Sequence, residues 1–134
     1  RRGPCGCGAR PTAPACANQA FNLTNGDLIR WRDLWPRLAD FFEVPLAPPS
    51  PRRLADFLPA LAPRWDAIVR EHGLQPYGLH QLAGCAFGDF VFGSRWDIVS
   101  DVGRIRRLGF CEAVDTEEMF LRQFAAFRAA RVIP

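Results

Sequence analysis

Two histidines, one tyrosine and five cysteines are the side chains this chain offers for proton transfer, nucleophilic attack or metal binding, and their spacing limits what they can do. Cys5, Cys7 and Cys16 form a C-x-C with one more cysteine nine residues on. That spacing lacks the paired C-x-x-C halves of a structural zinc site, and His72 and His80 lie far along the chain, so no metal site is expected. Tyr77 is the only tyrosine, and all 17 basic residues are arginine. Without lysine the chain alone can run neither a Tyr-Lys proton-transfer pair, nor a Schiff base, nor a phosphate-loop lysine. No G-x-S-x-G or H-E-x-x-H occurs, and no G-x-G-x-x-G or G-x-x-G-x-x-G follows a strand-like run. His72 stands before Gly73, where a histidine ordinarily meets the last helix carbonyls. His80 has no evident nucleophile partner. No catalytic, cofactor-binding or metal-binding residue is therefore expected.

What remains is binding. Residues 87–96, FGDFVFGSRW, place Phe87, Phe90, Phe92 and Trp96 within ten positions. From the pattern alone a buried core cluster is the preferred reading. The alternative is the wall of an apolar pocket, with Gly88 and Gly93 allowing close approach or movement. Arg104, Arg106 and Arg107 fall on the outside of a helix as a solvated face. With a net charge of only +3, they give no reason to expect a nucleic-acid partner.

The elements that would position these residues are mostly helical. In residues 21–35, FNLTNGDLIRWRDLW, an extended run at 21–23 enters a polar turn ending in Asp27, an N-cap for the helix that follows. Leu28, Trp31, Leu34, Trp35, Leu38 and Phe42 then recur at three and four residues and share one face. Residues 44–51 hold four prolines in eight and form an extended connector. Leu54, Phe57, Leu58 and Leu61 mark a helix limited by Pro59. Pro63 opens another, with Trp65, Ile68 and Val69 inside and Gly73 as its stop. A piece from Leu79 toward Phe87 is loosened by Gly84 and Gly88. A helix over 97–108 is expected with Asp97 or Ser100 as cap and Gly109 as stop. The last helix carries a capping box, with Asp115 as cap and Glu118 three residues on, and an inner face of Met119, Phe120, Phe124 and Phe127.

Length and composition agree with one domain's worth of chain: 134 residues, 49% hydrophobic, with eleven Phe and four Trp. No apolar run reaches the roughly 18 residues a membrane helix needs. Residues 1–20, rich in Gly, Pro, Ala and Cys, contain no large apolar side chain. Such a segment cannot offset its ordering entropy, so it is expected to be disordered or loosely draped. An odd number of cysteines without a secretory signal points to a reducing, cytoplasmic setting, with Cys85 and Cys111 as reduced core residues.

Five separated motifs, FNLTNGDLIRWRDLWPRLADFF, WDAIVREHGL, DFVF with WDIVSDVGRIRRLGF, VDTEEMF and RVIP, occur together in one family. From about residue 17 onward the chain resembles the C-terminal part of the progesterone 5-beta-reductase and iridoid synthase-like enone reductases, atypical extended short-chain dehydrogenases/reductases. The resemblance implies a mainly α piece with one or two short strands, the substrate-binding portion of an α/β Rossmann protein. It divides the chain into a leader over 1–17 and a substrate-binding lobe over 18–134.

The resemblance also implies NADP(H) as the family's cofactor, held on an N-terminal Rossmann part with a tyrosine and a lysine, and a small hydrophobic carbonyl substrate. An aromatic at the position of Phe87 reaches the substrate in that family. This brings the pocket-wall reading of Phe87, and less directly of Phe90, Phe92 and Trp96, level with the core reading. Because this sequence lacks the glycine-rich turn and the lysine, the expectation is a chain that binds no cofactor alone and is inactive alone, the product of a truncated or frame-shifted gene. A small binding module that kept the pocket is the alternative, as is an interaction module whose sheet-facing surface self-associates. No membrane partner is expected.

Overall fold

The computed structural model describes residues 14–134; Cys5, Cys7 and most of the expected leader lie outside the described residues. Seven α-helices follow one another: α1 (Trp31–Phe41), α2 (Leu54–Phe57), α3 (Ala62–His72), α4 (Leu79–Leu82), α5 (Cys85–Phe92), α6 (Gly103–Arg107) and α7 (Thr116–Ala129). Short 3₁₀ turns lie at Pro14–Cys16 and Leu58–Leu61. Among the described residues there is no strand. The helical character is as expected, and the one or two short strands are not present. The reason is visible at residues 21–23, which have no ladder partner. They are held by side chains instead: Asn22 Nδ2 donates to the Asp101 carbonyl, and the Arg104 guanidinium lies 5.2 Å from the Phe21 ring.

α1 starts later than its apolar spacing predicts. Arg30 is still extended (φ −120°, ψ 140°), and the helix begins at Trp31. Asp27 is not its cap, and Leu28 lies in solvent. α1 pairs with α7, and its Leu34 and Leu38 are the only buried hydrophobic residues among the described residues, at 3% and 5% exposure. Arg37 Nε donates to Glu117 at 2.6 Å across the same pair. At the other end Arg128 stacks over Phe41, 4.4 Å from the ring centre, and donates to the Phe41 carbonyl.

The second group is α2 to α5, wrapped around the Leu58–Leu61 turn. Pro59 converts the expected helix into α2 plus that turn. α3 stops at Gly73, whose left-handed backbone (φ 59°) suits a residue without Cβ. The 97–108 helix is much shorter than expected: only Gly103–Arg107 is helical, and Asp101, rather than Asp97 or Ser100, accepts from its first amide. Asp97 is drawn away by Arg30 at 2.8 Å. α7 starts where its signature placed it, with the Asp115 carboxylate accepting from Glu118 N at 2.9 Å as the N-cap half of the expected box. No helix among the described residues is long and apolar enough to cross a membrane.

Candidate functional site

The aromatic run sits on α5 and the loop after it. α5 is fixed from the side: the Asp89 carboxylate accepts from the amides of Leu54 (2.5 Å) and Ala55 (3.2 Å), capping α2 from 34 to 35 residues away. Gly88 lets the two helices meet, since a Cβ there would fall 2.5 Å from Leu54 Cδ1. The close approach allowed by Gly88 is thus to another helix. N-terminal to α5, Ala83 and Gly84 leave helical geometry and form an elbow from α4.

None of the four candidate aromatics is buried: Phe87 is 72% exposed, Phe90 68%, Phe92 45% and Trp96 73%. Nor do they make one wall. Phe87 lines a groove of about 610 Å³ with Leu58, Pro59, Ala62, Leu79, His80 and the Ala83–Ala86 elbow. Phe90 and Trp96 face a second depression of about 610 Å³, shared with Arg30, Arg32 and Asp97. Phe92 belongs to a third, about 400 Å³, where its ring stands edge-on to Trp31 at 5.0 Å and beside Trp35 at 5.9 Å. Phe120, edge-on to Trp31 at 5.9 Å, and the Pro45–Leu46 connector complete that aromatic box. Phe87 and Phe90 touch each other at a centroid separation of 6.5 Å.

The Phe87 groove is an open concavity of a size that suits a small ligand. Its lining is mostly apolar, with His80 and Cys85 as its only titratable side chains. Cys85 is half-buried there and Cys111 is exposed, so neither is the core residue its surroundings in the sequence suggest. The remaining candidates stay apart from it: His72 is exposed in the last turn of α3. No cluster of three or more His, Cys, Asp or Glu among the described residues could hold a metal ion. The groove's side chains supply no carboxylate or lysine for acid-base work.

A nucleotide cradle would need backbone amides open to a phosphate. Three glycines at turns or helix starts point the other way: Gly26 N donates to Thr24 Oγ1, Gly78 N to Gln81 Oε1 and Gly103 N to Asp101 Oδ1. These amides are taken by their own turns.

Away from the grooves, Asp27 is tied to Thr116 by two hydrogen bonds. Its carboxyl is held below its ordinary 3.8 by the Thr116 amide, then by the Thr116 hydroxyl, against a small opposing effect of burial. Arg30 and Arg37 are raised above the usual guanidinium value, by their hydrogen bonds to Asp97 and Glu117 first and by the same charges second.

No protein-family model matches this sequence. Individual proteins do. A short chain dehydrogenase of Penicillium aethiopicum is 33% identical over 92% of this chain and 37% of its own length. An (S)-8-oxocitronellyl enol synthase of Camptotheca acuminata is 34% identical over 87% of this chain and 31% of its own. Another of that name, from Antirrhinum majus, is 31% identical over 92% and 32%. The chain spans about a third of the length of these curated relatives.

Proposed function

We propose that this chain, which resembles the C-terminal part of the progesterone 5-beta-reductase/iridoid synthase-like short-chain dehydrogenases/reductases, supplies the substrate-binding lobe of an NAD(P)H-dependent enone reductase. The observation that carries the reading is Phe87. A large aromatic stands exposed on the rim of a mostly apolar groove, at the position where the resemblance implies substrate contact.

The groove works by desolvation. An apolar carbonyl compound seated against Leu58, Ala62, Leu79 and Phe87 loses its water-facing hydrocarbon surface, worth about 25 cal/mol per Å² removed from water. Phe87 then serves as a wall that orients the ligand. The hydride donor and the groups that polarise the carbonyl come from outside these residues, so the chain alone binds without turning over.

The test has two arms. Cyclic ketones should raise the melting temperature of the chain with no nucleotide present, and NADPH oxidation with a simple enone should stay at the blank rate. Tight binding of a nicotinamide nucleotide by the chain alone, or turnover, overturns the reading.

A second reading rests on a separate observation. Phe90, Trp96, Ile98 and Val99 are all strongly exposed within ten residues of chain, an apolar surface suited to contact with another protein surface or a second copy. Concentration-dependent mass in solution, lost in a Trp96→Ala variant, would support it.

A further inference from the structure

Asn18, Asn22 and Asn25 are the chain's asparagines, and only Asn25 is followed by glycine. That pair is open to a reaction with itself. The Gly26 backbone nitrogen, its proton taken by base, attacks Asn25 Cγ to close a cyclic imide, and Nδ2 leaves as ammonia. Water then opens the ring at either carbonyl and leaves an aspartate or an isoaspartate, with no electrons gained or lost. Glycine hinders the attack least, having no side chain. The turn demands it, because residue 26 sits at φ 92°, a conformation that other residues rarely adopt.

Both reacting groups are occupied in the fold. Gly26 N donates to Thr24 Oγ1 at 3.2 Å. Asn25 Nδ2, the leaving nitrogen, donates to Thr116 Oγ1 at 2.9 Å, with Met119 Sδ at 3.5 Å. The Asn25 carbonyl accepts from Val114 N at 2.7 Å, which holds the backbone about which the side chain would have to turn. Thr116 has one hydroxyl proton, and it goes to Asp27 Oδ1 at 2.8 Å. The Thr116 oxygen can therefore only accept from residue 25, and the amide nitrogen is the one side-chain group there that donates.

We infer that Asn25 is a self-modification site whose conversion unfastens the 24–27 turn from the start of α7, and that the fastened junction is what holds the conversion back. An aspartate at position 25 offers oxygen where Thr116 Oγ1 needs a donor, and it sets a second carboxylate beside Asp27 around one hydroxyl. Acceptor then faces acceptor, so the turn and the helix part. An isoaspartate also lengthens the main chain by one atom and displaces Gly26 and Asp27. Neither product recovers the lost ammonia, so an opening caught by the reaction is one-way. The junction lies away from the ligand groove, and the inference is independent of it.

The full chain is held in mildly alkaline buffer with and without urea, and peptide mass mapping follows Asn25 over time. Native chain should convert at least about 10-fold more slowly than unfolded chain, the mark of a reaction that waits for local opening. Thr116→Val removes the oxygen that holds Nδ2, and Asp27→Ala removes the cap. Each should speed conversion about 5-fold, the worth of one helix cap in the opening equilibrium. Asp89→Ala, which loosens the other helical group, should convert at the wild-type rate. A speed-up there equal to that of Thr116→Val overturns the inference, since the whole fold and not the junction would protect the site; equal rates in native and unfolded chain overturn it as well. The consequence of conversion is read by hydrogen exchange at the Val114 and Thr116 amides, which donate across the junction. Asn25→Asp should raise exchange there above both wild type and Asn25→Ala, because alanine loses a bond without adding a charge. Exchange in Asn25→Asp no faster than in Asn25→Ala overturns the unfastening.

Discussion

Asp27 caps a helix that begins 89 residues later: its carboxylate accepts from the Thr116 amide at 2.7 Å and from the Thr116 hydroxyl at 2.8 Å. Asn25 reinforces the same junction, its side chain donating to Thr116 Oγ1 and its carbonyl accepting from Val114 N. Thr116 is only 6% exposed, so this clasp is where the polar turn at 24–27 meets the start of α7. Removing it with Asp27→Ala should cost about 1 kcal/mol in a urea melt, the middle of the range for a lost helix cap.

The clasp also has a pH signature. Asp27 has a folded-state pKa below its unfolded one, so its stabilisation is complete above the ordinary value of 3.8 and is lost as pH falls through the lower folded value. The stability difference between wild type and Asp27→Ala should be constant near neutrality and shrink below about pH 4. A difference that stayed level down to pH 2 would show that the carboxylate's charge contributes nothing there.

Asp89 repeats the device inside the second helical group. With its side chain mostly buried and two amides of α2 on its oxygens, it holds the Pro-rich connector's exit onto α5. Asp89→Ala should destabilise by about 1 to 2 kcal/mol through the lost cap. Gly88→Ala should destabilise as well, because its new Cβ meets Leu54 Cδ1 at 2.5 Å. Both variants should show increased hydrogen exchange in α2 ahead of α1 and α7.

Both caps explain which parts of the fold the sequence disclosed. α3 and α7 are bounded by residues next to them, Gly73 and Asp115, and local spacing located their ends. α1, α2 and α6 depend on partners far away or on the loss of a local candidate. Asp27 looks like a cap for the residues that follow it, yet its oxygens are claimed by Thr116; Asp97 looks like a cap too, yet it pairs with Arg30. The same holds for the site. The aromatic run was evident from its composition, but its division among three depressions follows from where α5 lies against α2, with Phe92 reaching Trp31 and Trp35 of α1. The Phe87 groove had no local signal, because its lining comes from the Leu58–Leu61 turn, α3, α4 and α5 together.

The offset start of α1 makes a sharp contrast between two leucines that the spacing places on one face. Leu34 is 3% exposed and Leu28 is 82% exposed. Leu34→Ala removes one of the two buried hydrophobic side chains among the described residues and should cost about 2 to 5 kcal/mol. Set against a marginal total stability, that loss should broaden or abolish the cooperative melt. Leu28→Ala should change stability by no more than about 0.5 kcal/mol. Equal effects at the two positions would mean that the helix begins at Leu28 after all.

The last prediction separates Phe87 from Trp96, two exposed aromatics nine residues apart that line different depressions. Neither side chain is packed in the core, so each alanine variant should melt within a few degrees of wild type. Their binding should differ. Burying one face of a phenyl ring against a ligand is worth up to about 1.5 to 3 kcal/mol, so Phe87→Ala should weaken cyclooctanone binding by about 10-fold or more. Trp96→Ala should leave that affinity unchanged, because its ring faces the depression beside Arg30 and Asp97 rather than the His80 groove. Calorimetric titration of the two variants measures both numbers, and an equal loss in both would mean that the ligand bridges the two depressions across Phe90, whose ring touches Phe87.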